Sequence, residues 1–370
     1  MNLNSLRLRL QLWESGQTVV NKPVQRLVSS FFITLLLGVA ILGCSSEPRG
    51  LTSSQIQSSA EVSTSNPESS PEEDNPESSP KEECDPSNLA QASNFEFQHN
   101  VHESLPSDWQ AEYFSAIDNL ENLFPISDCV FAIPSMQSPM QVYAWSSAVG
   151  NPWPDERPGM GGACICGDGS GRWMVLEINA DEFRYDSLHR YAVIAHEYYH
   201  VFQIARSGNL MKPVWLVEGG AKTFEELFTQ TYYGQSEFDN GLFPVTANGL
   251  ENPAVFEDYV NVEGDQNYNF SSFMVLALIQ ELMSQGNVSE EQALKLVLSD
   301  YWSNLQGRSD WRMVFSETFG LAPDDFYGLI QKYQSEASPE TYYSGDVVAG
   351  EQVRGLMPSR HITLEDVAPN

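Results

Sequence analysis

Apolar residues recur at helical spacing in two central stretches of the chain, and those stretches dominate its pattern. Between 188 and 206, Ala192, Val193, Ile194, Ala195, Val201, Phe202 and Ile204 predict a largely buried helix, capped by Asp186 or Ser187 and closed by Gly208. A second helix is predicted over 214–233, opening after Pro213 and stopping at Gly234. Upstream, Ser107 or Asp108 caps a predicted helix that runs to Phe124 and meets Pro125. Short apolar runs at 129–133 and 141–145 read as strands. Residues 159–166 and 172–179 flank a Gly-rich turn and read as a hairpin. From 269 onward the pattern is helical: 269–285 before Gly286, a capping box at Ser289 to Gln292 opening a helix to about 301, a short helix between Asp310 and Gly320, and one from Pro323 to about 334. Strands first and helices later predict an α+β fold with a small N-terminal sheet.

The beginning of the chain has a different character. Arg7, Arg9, Lys22 and Arg26 precede an apolar run, 27–43, that ends in Ile41-Leu42-Gly43-Cys44. This resembles a bacterial lipoprotein signal, which implies cleavage before Cys44, lipidation of Cys44 and an extracytoplasmic place in the cell envelope. The run is shorter than the roughly 20 residues that span a bilayer. Residues 44–88 are rich in Ser, Pro and Glu, with a near-repeat starting at Asn66 and again at Asn75; they read as a disordered tether. The expected organisation is thus a signal peptide (1–43), a tether (44–88), a main folded domain (89–335) and a C-terminal extension (336–370).

The 370 residues carry a net charge of -31. The excess of acid extends through 89–370, so no basic face is expected and nucleic acid is excluded as a partner. Beyond Cys44 the cysteines are Cys84, Cys129, Cys164 and Cys166. In an exported chain four cysteines suggest two disulfides with three possible pairings. Cys164 and Cys166 point to one face of a strand, which favours bridging each to a different partner; a CxC metal clip is the rival reading.

The chemistry concentrates in His196-Glu197-Tyr198-Tyr199-His200, inside the predicted helix. One helical turn separates His196 from His200, so both imidazoles can bind one Zn²⁺ while Glu197 reaches the metal-bound water. The alternative is a core helix with two satisfied histidines. A third histidine six residues after His200 is absent, since Arg206 stands there. Instead Trp215-Leu-Val-Glu218-Gly-Gly-Ala221 opens the next helix, and two antiparallel helices can bring Glu218 opposite the histidine pair. His99, His102, His189 and His361 show no ligand spacing.

These residues resemble the gluzincins, the zinc metallopeptidase superfamily that includes thermolysin and the aminopeptidase-N-like enzymes. The likeness spans about 159–334. It implies a zincin-like (thermolysin-like) catalytic domain, one Zn²⁺ held by His196, His200 and Glu218, and hydrolysis of a peptide or protein substrate with Glu197 as base. Gln203 and Trp215 are similar to positions in bacterial lipoprotein-type relatives. Tyr268-Asn-Phe-Ser-Ser-Phe273 resembles a Tyr-x-x-Gly-x-Ser-Phe stretch whose tyrosine stabilises the oxyanion, with Ser271 in place of the glycine; Tyr259 and Tyr301 are its rivals. Gly159-Met-Gly-Gly-Ala163 lacks the acid that holds a free amino group in aminopeptidases, so an endopeptidase is expected. Lys222 stands where thermolysin-like enzymes place a histidine-orienting aspartate, and Glu225 is a candidate for that role. The hairpin edge could take an extended peptide by strand addition. The reading from a different class is a non-hydrolytic surface lipoprotein that uses the same fold for binding or envelope assembly.

Overall fold

Alternation in Met140–Ser146 (β2) builds the middle of a four-stranded sheet. Val142 and Ala144 point into the main hydrophobic core, while Tyr143 and Trp145 point to the opposite face, as the two-residue period of a strand requires. A computed structural model of the chain describes residues 95–126, 136, 138–168, 171–236, 244–246, 250–258, 264–286, 288–330, 346–348 and 358–369. The signal sequence, Cys44, the tether, Cys84, the expected strand with Cys129, and Tyr259 lie outside the described residues.

The sheet runs β1 (Phe97–Val101), β2, β4 (Gly171–Ile178), β3 (Ala163–Asp168). β1, β2 and β4 are parallel, and β3 lies antiparallel to β4 at one edge with Cys164 opposite Val175. β2 and the β3–β4 hairpin match the sequence pattern, whereas β1 was not foreseen. Its side chains are half-buried and Gln98 and Asn100 bond to Gln141 across the pair, so an apolar alternation is missing. The chain passes from β1 to β2 through helix α1 (Ser107–Leu123). The residue at its N-cap is Pro106, with no side-chain cap, in place of the expected Ser107 or Asp108.

Helix α2 (Ala180–Tyr185) leads from β4 into α3 (His189–Ser207), which lies against α1, β3 and β4. α4 (Val214–Tyr233) packs between α3 and α5 (Gly264–Gly286). Gly208 and Gly234 close α3 and α4 in the left-handed conformation, φ 64° and 66°, which only glycine adopts without strain. β5 (Pro244–Thr246) lies between α4 and α5 in the chain. The Ser289 capping box opens α6 (Glu290–Lys295), which continues through one π-helical stretch into α7 (Tyr301–Asn304). α8 (Trp311–Phe319), capped by Asp310, and α9 (Pro323–Ile330) follow. β6 (Asp346–Val348) pairs antiparallel with β5, and Ile362, Leu364 and Val367, around α10 (Leu364–Val367), join the main core. Gln230 of α4 donates to the carbonyls of Ser359 and Ile362, seating this closing segment. The architecture is therefore α+β, with the sheet in the first half and helices after it. Among the described residues no helix is long and apolar enough to cross a membrane.

The expectation for the cysteines is corrected as well. Cys164 and Cys166 bridge each other, with Cα atoms 5.4 Å apart, inside the span a disulfide covers. Two residues apart on β3, the thiols stand side by side on one face. That face carries Tyr143, Trp145, Met160 and Val175 and is opposite the one covered by α3.

α4 and α5 approach closely at Gly219, where an added Cβ would lie 2.1 Å from the Ser271 carbonyl oxygen. Overpacking of this kind costs about 1–3 kcal/mol. Gly219→Ala is accordingly expected to lower the free energy of unfolding by an amount in that range, read as a lower urea midpoint; an unchanged midpoint would contradict the close approach.

Candidate metal centre

α3 is buried on nearly all sides, from Ala192 to Ser207, so anything polar on it must find partners inside the protein. One turn apart on one face, His196 and His200 bring their Nε2 atoms to 3.1 Å. Glu218, in the second turn of α4, places Oε2 3.6 Å from His196 Nε2 and 3.4 Å from His200 Nε2. The absence of a side chain on Gly219 lets that turn lie against α5. All three donors are buried, and they form a group that could hold a metal ion.

The outward nitrogens determine the tautomers. Gln203 Nε2 donates to the Val217 carbonyl at 3.0 Å, which turns its Oε1 toward His200 Nδ1 at 2.7 Å. Since a carbonyl only accepts, His200 Nδ1 carries the proton. His196 Nδ1 donates in the same way to Glu225 Oε2 at 2.9 Å. In the neutral rings both Nε2 atoms then present lone pairs to each other and to a carboxylate. A proton can settle the 3.1 Å nitrogen pair, but the contacts to Glu218 are longer than good hydrogen bonds. Donors held tetrahedrally around one ion by bonds of about 2.0–2.1 Å lie about 3.3 Å apart, and all three separations cluster around that value. The donor set therefore fits a metal ion.

The surrounding charge points the same way. Glu197, Glu218, Glu225 and Glu226 are all buried, and Lys222 bonds to both Glu225 and Glu226. One ammonium is thus shared between two of the four acids, and an interior this rich in carboxyl groups favours a further positive charge among them. Burial resists charging the His196 ring, yet the carboxylates of Glu218 and Glu225 beside it override that and lift its pKa to about 10. Burial would also raise Glu218, but His200 and His196 hold it down at about 2. Burial pushes the Glu197 carboxyl above its usual range, against the pull of both histidines, and its Oε2 has no hydrogen-bond partner.

Of the residues singled out in the sequence, His196, Glu197, His200, Glu218 and Glu225 are brought together. Tyr268, on α5, sets its ring 6.1 Å from that of His196 and is 41% exposed, at the rim of the group. Tyr301 is buried and donates to the Lys212 carbonyl at 2.8 Å, a structural role. What sequence reasoning missed is how Gln203 and Lys222 act. The Gln203 position, three residues after His200 on the same face, was the available signal. Lys222 offered only its departure from the thermolysin-like pattern.

Comparison with known protein families, with curated proteins and with solved structures finds no match for this chain.

Gln203 satisfies two buried groups at once. Gln203→Leu leaves the His200 Nδ1–H without its acceptor, and a buried orphan of this kind costs about 1–3 kcal/mol. Equilibrium denaturation of the metal-free protein should register a loss of at least that size, and wild-type stability in the variant would contradict the assignment.

Proposed function

We propose that this protein is a zinc metallopeptidase of the gluzincin type, an endopeptidase acting on peptides or proteins outside the cytoplasm. It is held at the envelope by lipid on Cys44, with residues 44–88 as its tether. The observation that carries the reading is the convergence of His196 Nε2, His200 Nε2 and Glu218 Oε2 at separations of 3.1, 3.4 and 3.6 Å. Two imidazoles and one carboxylate suit Zn²⁺ and leave a fourth position open. When bound, zinc polarises the scissile carbonyl and makes water a nucleophile near neutral pH.

The chain's own residues supply the rest. Glu197 is buried beside His196, has an oxygen without a partner, and has its pKa raised by burial, so it is suited to accept a proton near neutrality. It takes the proton from the attacking water and returns it to the leaving nitrogen as the amide bond breaks. Tyr268 stands at the exposed rim and donates to the oxyanion as it develops. Glu225 and Gln203 fix the ring orientations of His196 and His200. β3 is an edge strand, so an extended substrate can pair along it.

The test is cleavage of a mixed peptide library by zinc-loaded full-length protein, with two variants. Glu218→Ala is expected to lose the ion. Glu197→Gln is expected to keep one zinc per chain and to lose about 10²- to 10⁴-fold in kcat. Full activity in Glu197→Gln would overturn the peptidase assignment, as would a zinc-loaded protein that turns over no peptide.

A further inference from the structure

α4 grips His196 from both sides. Glu218 faces its Nε2, and Glu225, two turns later on the same helix face, accepts from its Nδ1. Lys222 stands between them in sequence, four residues after Glu218 and three before Glu225. At helical spacing all three lie on one face. The Lys222 side chain is largely withdrawn from solvent, and its ammonium bonds to Glu225 Oε1 and, at 2.8 Å, to Glu226 Oε1. The far oxygen of Glu226 accepts from Ser236 Oγ at 2.6 Å. The result is a buried string: Ser236, Glu226, Lys222, Glu225, His196. Both oxygens of Glu225 are committed, one to the lysine and one to the histidine.

We propose that Lys222 is a positioning residue for the metal centre, holding Glu225 in the rotamer that aims His196 Nε2 at the ion. This rests on reading His196, His200 and Glu218 as ligands. Without the ammonium, Glu225 would face Glu226 with the largest charge that offsets their repulsion removed from a low-dielectric interior. Its carboxylate would turn from His196 toward water, and the ring would lose the bond that fixes its plane. Lys222 thus sets how tightly the ion is held without touching it. Groups that orient metal ligands in this manner change affinity by about 10- to 100-fold when removed.

The experiment measures Zn²⁺ affinity by competition with a chromophoric chelator, and the visible absorption spectrum of the Co²⁺-substituted protein, in full-length chains. Lys222→Met is expected to bind one ion about 10- to 100-fold more weakly, with an altered Co²⁺ spectrum. Lys222→Arg, which keeps a cation between the two carboxylates, is expected to recover both. Should Lys222→Met not fold, the double variant Lys222→Met with Glu226→Gln removes the lysine while conserving the charge of the string, and the same weakening is expected. Wild-type affinity and spectrum in the folded lysine-free variant would overturn the positioning role alone. A wild-type chain that binds neither ion would overturn the metal centre beneath it.

Discussion

Two imidazole nitrogens 3.1 Å apart, each with its opposite nitrogen committed as a donor, are the constraint on which the rest of the centre depends. Lone pairs facing each other beside a buried carboxylate are tolerable only if positive charge sits among them. A single proton can bridge the nitrogens, but it leaves Glu218 at the edge of hydrogen-bonding distance. A metal ion accounts for all three donors together. The buried acids around the group increase the demand, since the one lysine bonded among them is shared between Glu225 and Glu226.

Holding such a group inside an apolar helix pair requires a rigid frame. α3 supplies it by being buried almost throughout, with Tyr198 and Tyr199 anchored by hydroxyl bonds to the carbonyls of Phe124 and Leu298. α4 supplies the carboxylates, and its approach to α5 at Gly219 fixes the depth to which Glu218 enters. Gln203 joins the two helices directly through the Val217 carbonyl, one residue before Glu218. The histidines and their counter-charges are therefore placed by packing between helices, with one exposed ring, Tyr268, left at the rim.

Much of this was legible in the sequence because it follows from helical geometry. His196 and His200 four residues apart, the apolar stripe around them, and the stop signals at Gly208 and Gly234 depend only on local periodicity. Glu218 was legible through spacing, as the first acid of the next helix. Features that depend on rotamers and long-range contacts were not. Glu225 could be named as a candidate, but its choice of His196 over His200 comes from how α4 lies on α3. Lys222 read as a departure from a pattern because its two carboxylate partners are defined only by side-chain direction. β1 escaped notice since its polar Gln98 and Asn100 pair with Gln141 and hide the alternation. The cysteines were misread for a related reason: a shared strand face was taken to keep the thiols apart, whereas it sets them side by side.

The most direct test of the central claim is X-ray absorption at the zinc edge of the loaded full-length protein. The account predicts a first shell of nitrogen and oxygen at about 2.0–2.1 Å, with outer-shell scattering from two imidazole rings. A sulfur shell at about 2.3 Å, or oxygen ligands alone without imidazole scattering, would contradict it.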